Sequence, residues 1–179
     1  MKNLSVMIKP ASSLCNMRCK YCFYADISSI REQPSYGVMT SETRKKVLSN
    51  IFSQLDSGDS ITFAFQGGEP TMAGIGWFRQ FIQEARQLAG DGIQISYAFQ
   101  TNGLLLDDDW LNLFKEHHFL VGLSLDGPKD FHDRNRPDAH GNGTFAHLLD
   151  IKKKMDRLHV SYNILTVLTN AAARHPQKL

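Results

Sequence analysis

The chain carries three cysteines, all within eight positions, in the run Cys15-Asn16-Met17-Arg18-Cys19-Lys20-Tyr21-Cys22. Thiolate is the form of cysteine that binds metal, and iron–sulfur clusters are held by thiolates. A C-x3-C-x2-C run can give three corners of a four-iron cube one thiolate each. The fourth iron then stays open to a small chelating ligand, which a four-cysteine electron-transfer cluster does not permit. Three other readings compete. A structural zinc site needs four closed ligands, and the first hundred residues hold no His to complete the set. A redox cluster with a non-cysteine fourth ligand would leave no open iron. Unrelated core cysteines would be buried as small hydrophobes rather than gathered in a polar loop. An odd count also argues against a disulfide framework.

Other chemistry-bearing residues lie in short polar runs. These are Gln66-Gly67-Gly68-Glu69-Pro70, Gln100-Thr101-Asn102-Gly103 and Ser124-Leu125-Asp126-Gly127-Pro128, with His132, Asp133 and Arg136 soon after. Gly67 and Gly68 have no Cβ and let backbone approach a ligand closely. The Arg136 guanidinium matches a carboxylate bidentately. His117, His118, His132, His140 and His147 lack metal-ligand spacing. Asp107, Asp108 and Asp109 read as a helix start, where acids suit the positive end of the dipole, rather than as a metal cluster.

The elements that must position these runs follow from periodicity. Apolar alternation predicts strands over 3–8, 60–65, 93–99, 119–125 and 160–168. Helical spacing predicts helices over 41–55, capped by Thr40 or Ser41, and over 75–89. Another helix starts at Asp107–Asp109 and one follows Thr144 as its cap. The opening of a last helix is expected over 171–179, with His175-Pro176 in its first turn. The cysteines fall in a long loop, and a polar loop is expected from Asp126 to Gly143. Strand–helix alternation of this kind means βαβ units and a parallel sheet. The expected fold class is α/β: a partial (β/α) barrel of about five units. No Gly-rich phosphate loop follows the first strand, which weakens a dinucleotide-binding reading. Every polar run follows a strand, so the runs should converge at the end of the sheet where such barrels place active sites.

Composition narrows the classes. Of 179 residues, 42% are hydrophobic and 21% charged, ordinary globular values that allow a buried core. A formal net charge of +2 predicts neither a nucleic-acid stripe nor an acidic tail. The apolar run 4–8 is too short for a signal peptide, and no stretch approaches the roughly 20 apolar residues of a membrane span. A cytoplasmic protein without nucleic-acid or membrane partners is expected.

The cysteine spacing, with Tyr21 as an aromatic before the last Cys, resembles the signature of the radical S-adenosylmethionine superfamily. Lys9-Pro10-Ala11-Ser12-Ser13, Cys22-Phe23-Tyr24 and the three strand-end runs extend the likeness over essentially the whole chain. Together they resemble the anaerobic sulfatase-maturating enzymes, a group with a C-terminal SPASM domain. The resemblance implies a [4Fe–4S] cluster on Cys15, Cys19 and Cys22, with S-adenosylmethionine on its open iron. It implies that Gly67, Gly68 and Glu69 receive the cofactor's ammonium. Ser124 and Arg136 are then expected at its polar groups, Arg136 at the carboxylate, and Tyr21 near the adenine. Gln66 and Asn102 are placed at the cofactor, and Tyr24, Gln100 and His132 toward the substrate.

The implied reaction takes one electron from a low-potential donor such as flavodoxin or ferredoxin. Cofactor cleavage yields a 5′-deoxyadenosyl radical, which abstracts hydrogen from the Cβ of a Cys or Ser in a sulfatase polypeptide. The product is Cα-formylglycine. Here the chain departs from the family, because no cysteine follows Cys22 to hold auxiliary clusters. The family's proton-accepting Asp is expected beyond residue 179, so no catalytic residue is assigned. One radical domain over 1–179 is expected, with the C-terminal auxiliary-cluster part missing. Two other functions stay open. One is a different peptide-modifying radical enzyme, forming thioether or carbon–carbon cross-links. The other is a non-catalytic iron–sulfur or zinc module.

Overall fold

The structure, a computed structural model, describes residues 1–178. Five strands form one sheet: β1 (Asn3–Ile8), β2 (Ser60–Phe65), β3 (Gln94–Thr101), β4 (Leu120–Ser124) and β5 (Tyr162–Leu165). Their spatial order is β1-β2-β3-β4-β5 and every pairing is parallel. Parallel neighbours need crossovers. These are supplied by α2 (Ser41–Phe52), α3 (Ile75–Ala89), α4 (Asp108–Glu116) and α6 (Phe145–Leu158). The expected α/β architecture of five βα units is present.

Alternation along the strands decides where the core sits. Ile61, Phe63 and Phe65 are fully buried, while Thr62, Ala64 and Gln66 are partly exposed. The register sets Phe63 beside Tyr97, Phe65 beside Phe99 and Phe99 beside Val121. This apolar face meets Trp77, Phe78, Phe81 and Ile82 of α3, Trp110 and Phe114 of α4, and Leu148, Ile151 and Met155 of α6. Phe65 lies edge-on to Phe78 and to Phe81, each at 5.0 Å between ring centroids. Rings of this size bury about 150–250 Å² each, so this aromatic slab dominates the stability of the fold. Buried Arg44 ties α2 to α3 through a bidentate pair with Glu84, at 2.8 and 2.9 Å. The opposite face of the sheet carries Ala64, Ala98 and Gly122 and has no helix layer among the described residues, as the inside of a part barrel requires.

Several expectations are corrected. The polar loops hide two short helices, α1 (Phe23–Ser29) and α5 (Lys129–Asn135). Neither shows an apolar period, since α1 buries no residue and α5 buries only His132. α2 ends at Phe52, three residues early, because Ser53, Gln54 and Leu55 close the helix with tight turns. The fifth strand is the shorter Tyr162–Leu165. The final helix, α7 (Asn170–Ala173), is capped by Thr169, and Pro176 opens a separate 3-10 turn, Pro176–Lys178. The last position of the 171–179 expectation lies outside the described residues. Thr40 and Asp107 do cap their helices. Thr144 occupies the N-cap position of α6 but caps nothing. Instead Asp133 Oδ1 accepts from the Phe145 amide at 2.9 Å.

Candidate functional site

A cavity of about 330 Å³ opens at the carboxyl ends of the strands. Its wall contains Cys15, Cys19, Tyr21, Cys22 and Tyr24 from the segment after β1. Gln66, Gly67, Gly68 and Glu69 enter after β2, and Gln100, Asn102, Ser124 and Arg136 come from β3, β4 and beyond. Of the residues assigned in the sequence to metal, cofactor or substrate, His132 alone is absent from this wall.

The cysteine loop is held from two sides. The Gly68 and Glu69 amides donate to the carbonyls of Ser12 and Leu14, at 3.0 and 2.7 Å. On the other side Met17 pairs antiparallel with Asp138. The amides of Arg18 and Lys20 donate to Pro137 and Asn135, at 3.0 and 2.9 Å. These contacts give the two glycines a second role beside the one expected. A Cβ on Gly68 would stand 2.2 Å from the Leu14 carbonyl, and Gly67 has φ +118 with Ser12 just 2.9 Å away. The missing side chains make room for the cysteine loop itself.

Burial pushes the Cys15 thiol above its ordinary value, opposed mainly by the Met17 amide. It pushes Cys19 up to about 11, with the positive Arg136 pulling the other way. A metal taking these sulfurs must therefore displace protons, as thiolate ligation always requires. Among the described residues no three His, Cys, Asp or Glu side chains lie close enough to share one metal ion. A single zinc at about 2.3 Å from each sulfur would bring thiolates within about 3.8 Å of one another. A multi-iron cluster binds each thiolate at a different metal.

Glu69 is 1% exposed and its carboxylate is fully engaged. Oε1 accepts from the Thr71 amide at 3.1 Å and from the hydroxyls of Thr71 and Thr101 at 2.7 and 2.8 Å. Oε2 accepts from the Asn102 amide at 2.7 Å. Burial pushes its pKa up and these four donors hold it down. The side chain thus braces the ends of β2 and β3 against each other. Asn102 passes that brace to the cysteines, donating to Asn16 Oδ1 at 2.8 Å and to Cys15 Sγ at 3.7 Å.

A second network crosses the cavity. Arg136 Nη1 donates to the Tyr21 hydroxyl at 2.9 Å, and that hydroxyl donates to Asp126 Oδ2 at 2.5 Å. Arg136 Nη1 also lies 4.0 Å from Asp126 Oδ1. Burial, then the hydrogen bond to Asp126, raise the Tyr21 pKa. Arg136 Nε is buried without a partner among the described residues. A buried guanidinium N–H left open costs free energy unless a ligand fills it. Gln100 donates to the Ser124 hydroxyl at 2.8 Å, and the Lys9 ammonium sits 4.6 Å from the Tyr24 ring centroid.

His132 is corrected from a mouth residue to a pin behind the wall. It is fully buried. Its Nδ1 accepts from the Asp126 amide at 3.2 Å, and Nε2 pairs with the Thr144 hydroxyl at 2.9 Å. That hydroxyl donates to the Arg136 carbonyl at 2.9 Å. The bonds define a neutral ring protonated at Nε2. They also explain why Thr144 leaves its helix uncapped. Asp126 and Asn16 were missed in the sequence. An Asp before Gly-Pro reads as an ordinary turn, and nothing local shows that it faces Arg136.

Strand-end loops, clustered thiols and an open guanidinium line one cavity of a part-barrel domain. The chain belongs to the Radical SAM superfamily, whose family model matches residues 10–171. It is 45% identical, over all its 179 residues, to the cysteine-type anaerobic sulfatase-maturating enzyme of Clostridium novyi (strain NT), covering 47% of that protein. It is 35% identical over 173 residues to the serine-type anaerobic sulfatase-maturating enzyme of Klebsiella aerogenes, covering 41% of it. The solved structure of native anSMEcpe with bound AdoMet and Kp18Cys peptide superposes with a TM-score of 0.90 at 40% identity. That match covers 98% of this chain and 46% of the other. The chain thus spans about half the length of the curated relatives it matches. No described helix is long and apolar enough to cross a membrane.

Proposed function

We propose that residues 1–179 form the radical-generating domain of an anaerobic sulfatase-maturating enzyme. One observation carries this reading: three thiols and a buried guanidinium with an open N–H line the same cavity. The donor set fits both cofactors. Cys15, Cys19 and Cys22 would each lose a proton and ligate one iron of a [4Fe–4S] cluster. Arg136 would donate to the carboxylate of S-adenosylmethionine, held in aim by Tyr21 and Asp126. Gly67 and Gly68 would offer backbone to its ammonium, and Gln100 and Ser124 hydrogen bonds to its hydroxyls. Bound together, the two groups would supply the one-electron chemistry needed to take hydrogen from an unactivated carbon.

The substrate proposed is a sulfatase polypeptide whose active-site Cys or Ser becomes Cα-formylglycine. The higher identity to a cysteine-type relative supports cysteine as the first residue to try. A low-potential donor of the flavodoxin or ferredoxin class would supply the electron, in the cytoplasm. No general base is assigned within this chain.

The test is anaerobic reconstitution with iron and sulfide, reduction by dithionite, and addition of S-adenosylmethionine with a sulfatase peptide. 5′-Deoxyadenosine from the wild type, and none after replacing all three cysteines with Ala, is the expected result. A well-loaded cluster that yields no 5′-deoxyadenosine overturns the reading. Mass spectrometry of the peptide then separates formylglycine from a cross-link.

A further inference from the structure

Both N–H···S contacts found among the described residues fall on Cys15. The Met17 amide reaches its sulfur at 3.4 Å and the Asn102 carboxamide at 3.7 Å. We propose that Asn102, held in place by Glu69, sets the reduction potential of a cluster on the three thiolates through its hydrogen bond to Cys15. This rests on the cluster-binding reading above.

The orientation of the carboxamide is dictated by its partners. The Leu104 amide can only donate, and it donates to Asn102 Oδ1 at 2.9 Å. Nδ2 must then face the other way, where one N–H meets Asn16 Oδ1 at 2.8 Å and the other meets the sulfur. The reversed amide would set its oxygen against the sulfur. The backbone is equally fixed, since the Asn102 amide donates to Glu69 Oε2 at 2.7 Å. Asn102 is 6% exposed, and both carboxamide hydrogens have protein partners. Glu69 does not touch the thiols through any hydrogen bond described, and acts by holding Asn102.

The direction of the effect follows from charge. One-electron reduction adds a negative charge spread over the irons and sulfurs. An N–H dipole aimed at a ligating sulfur favours that more negative state, and such bonds are among the determinants of cluster potential. The Met17 contact comes from backbone and survives any side-chain change there. Asn102 is therefore the removable contribution and acts as a positioning residue, not a catalytic one.

The test is a redox titration of the reconstituted chain, followed by the absorption and paramagnetic signals of the cluster without S-adenosylmethionine. Asn102→Leu removes the donor. Asn102→Asp keeps an oxygen for the Leu104 amide and replaces the donor with a carboxylate. Both should lower the reduced-to-oxidised ratio at a fixed poise about tenfold, a shift of about 59 mV for one electron. Asn16→Ala removes the other partner of the carboxamide, leaves the N–H···S contact, and should leave the midpoint unmoved. Loaded Asn102 variants with the wild-type midpoint overturn the proposal. So does an Asn16→Ala shift as large as theirs, or loss of the cluster from both Asn102 variants, because either outcome makes the carboxamide a brace for the loop. A wild-type chain that takes up no four-iron cluster instead removes the function proposed for the domain.

Discussion

At the scale of single residues the site is a set of nearly saturated hydrogen-bond networks with one opening. Arg136 is that opening, since its Nη1 is fixed by Tyr21 while its Nε has no partner among the described residues. If that N–H serves a ligand carboxylate, Arg136→Lys should lose about 1.5–3 kcal/mol of binding, because lysine is a point charge without the fork. Titrating S-adenosylmethionine into the reconstituted chain should then show affinity roughly ten- to a hundredfold weaker. Unchanged affinity would remove Arg136 from the cofactor site. His132 makes a different kind of prediction. Burial, then the nearby Arg136 charge, lower its pKa from the ordinary 6.5 to about 4. Between those values the unfolded chain takes up a proton at this position and the folded chain does not. Stability should therefore fall as pH drops from 6.5 toward 4. Urea unfolding across that range should show a shallower pH dependence for His132→Asn than for the wild type. Parallel slopes would mean the ring titrates normally in the fold.

At the scale of elements, the central prediction concerns the close approach of the β2 loop to the cysteine loop. Gly68→Ala would drive its Cβ against the Leu14 and Ser13 backbone. Neither backbone can rotate away as a side chain does. The variant should keep its far-ultraviolet dichroism, because the aromatic core is remote, yet lose most of its iron on reconstitution. Full iron content would show that the loop has slack. The same elements show what the sequence revealed and what it hid. β2 and α3 were legible to the residue, since Ile61, Phe63 and Phe65 alternate and Trp77, Phe78, Phe81 and Ile82 keep helical spacing. The three cysteines and the strand-end runs were legible because their types and order are local. α1 and α5 were not, because seven-residue helices that bury almost nothing leave no period to read. Asp126 was missed and His132 misplaced for a further reason. Their roles depend on Tyr21, Arg136 and Thr144, which only the folded chain brings near.

At the scale of the whole molecule, the sheet is layered on one face alone. Parallel sheets are ordinarily covered on both. On the bare face Met7, Leu120 and Leu165 are all exposed by more than a third. The isolated chain should therefore self-associate as concentration rises. The double variant Met7→Lys/Leu165→Lys should shift it toward monomer without loss of helix content. Sedimentation velocity on both proteins decides, and a wild type that stays monomeric at high concentration would show this face to be tolerated by water.

The latch of Met17 onto Asp138 also has a bearing on biogenesis. At the usual pace of translation, the cysteines leave the ribosome on the order of ten seconds before residues 135–138 exist to receive them. Until then the Arg18 and Lys20 amides have no strand to pair with, and Arg136 is not there to favour the Cys19 thiolate. A cluster held as that latch requires accordingly waits until residues 135–138 have emerged. For that interval the nascent protein exposes three neighbouring thiols whose defence against oxidation lies with the cell.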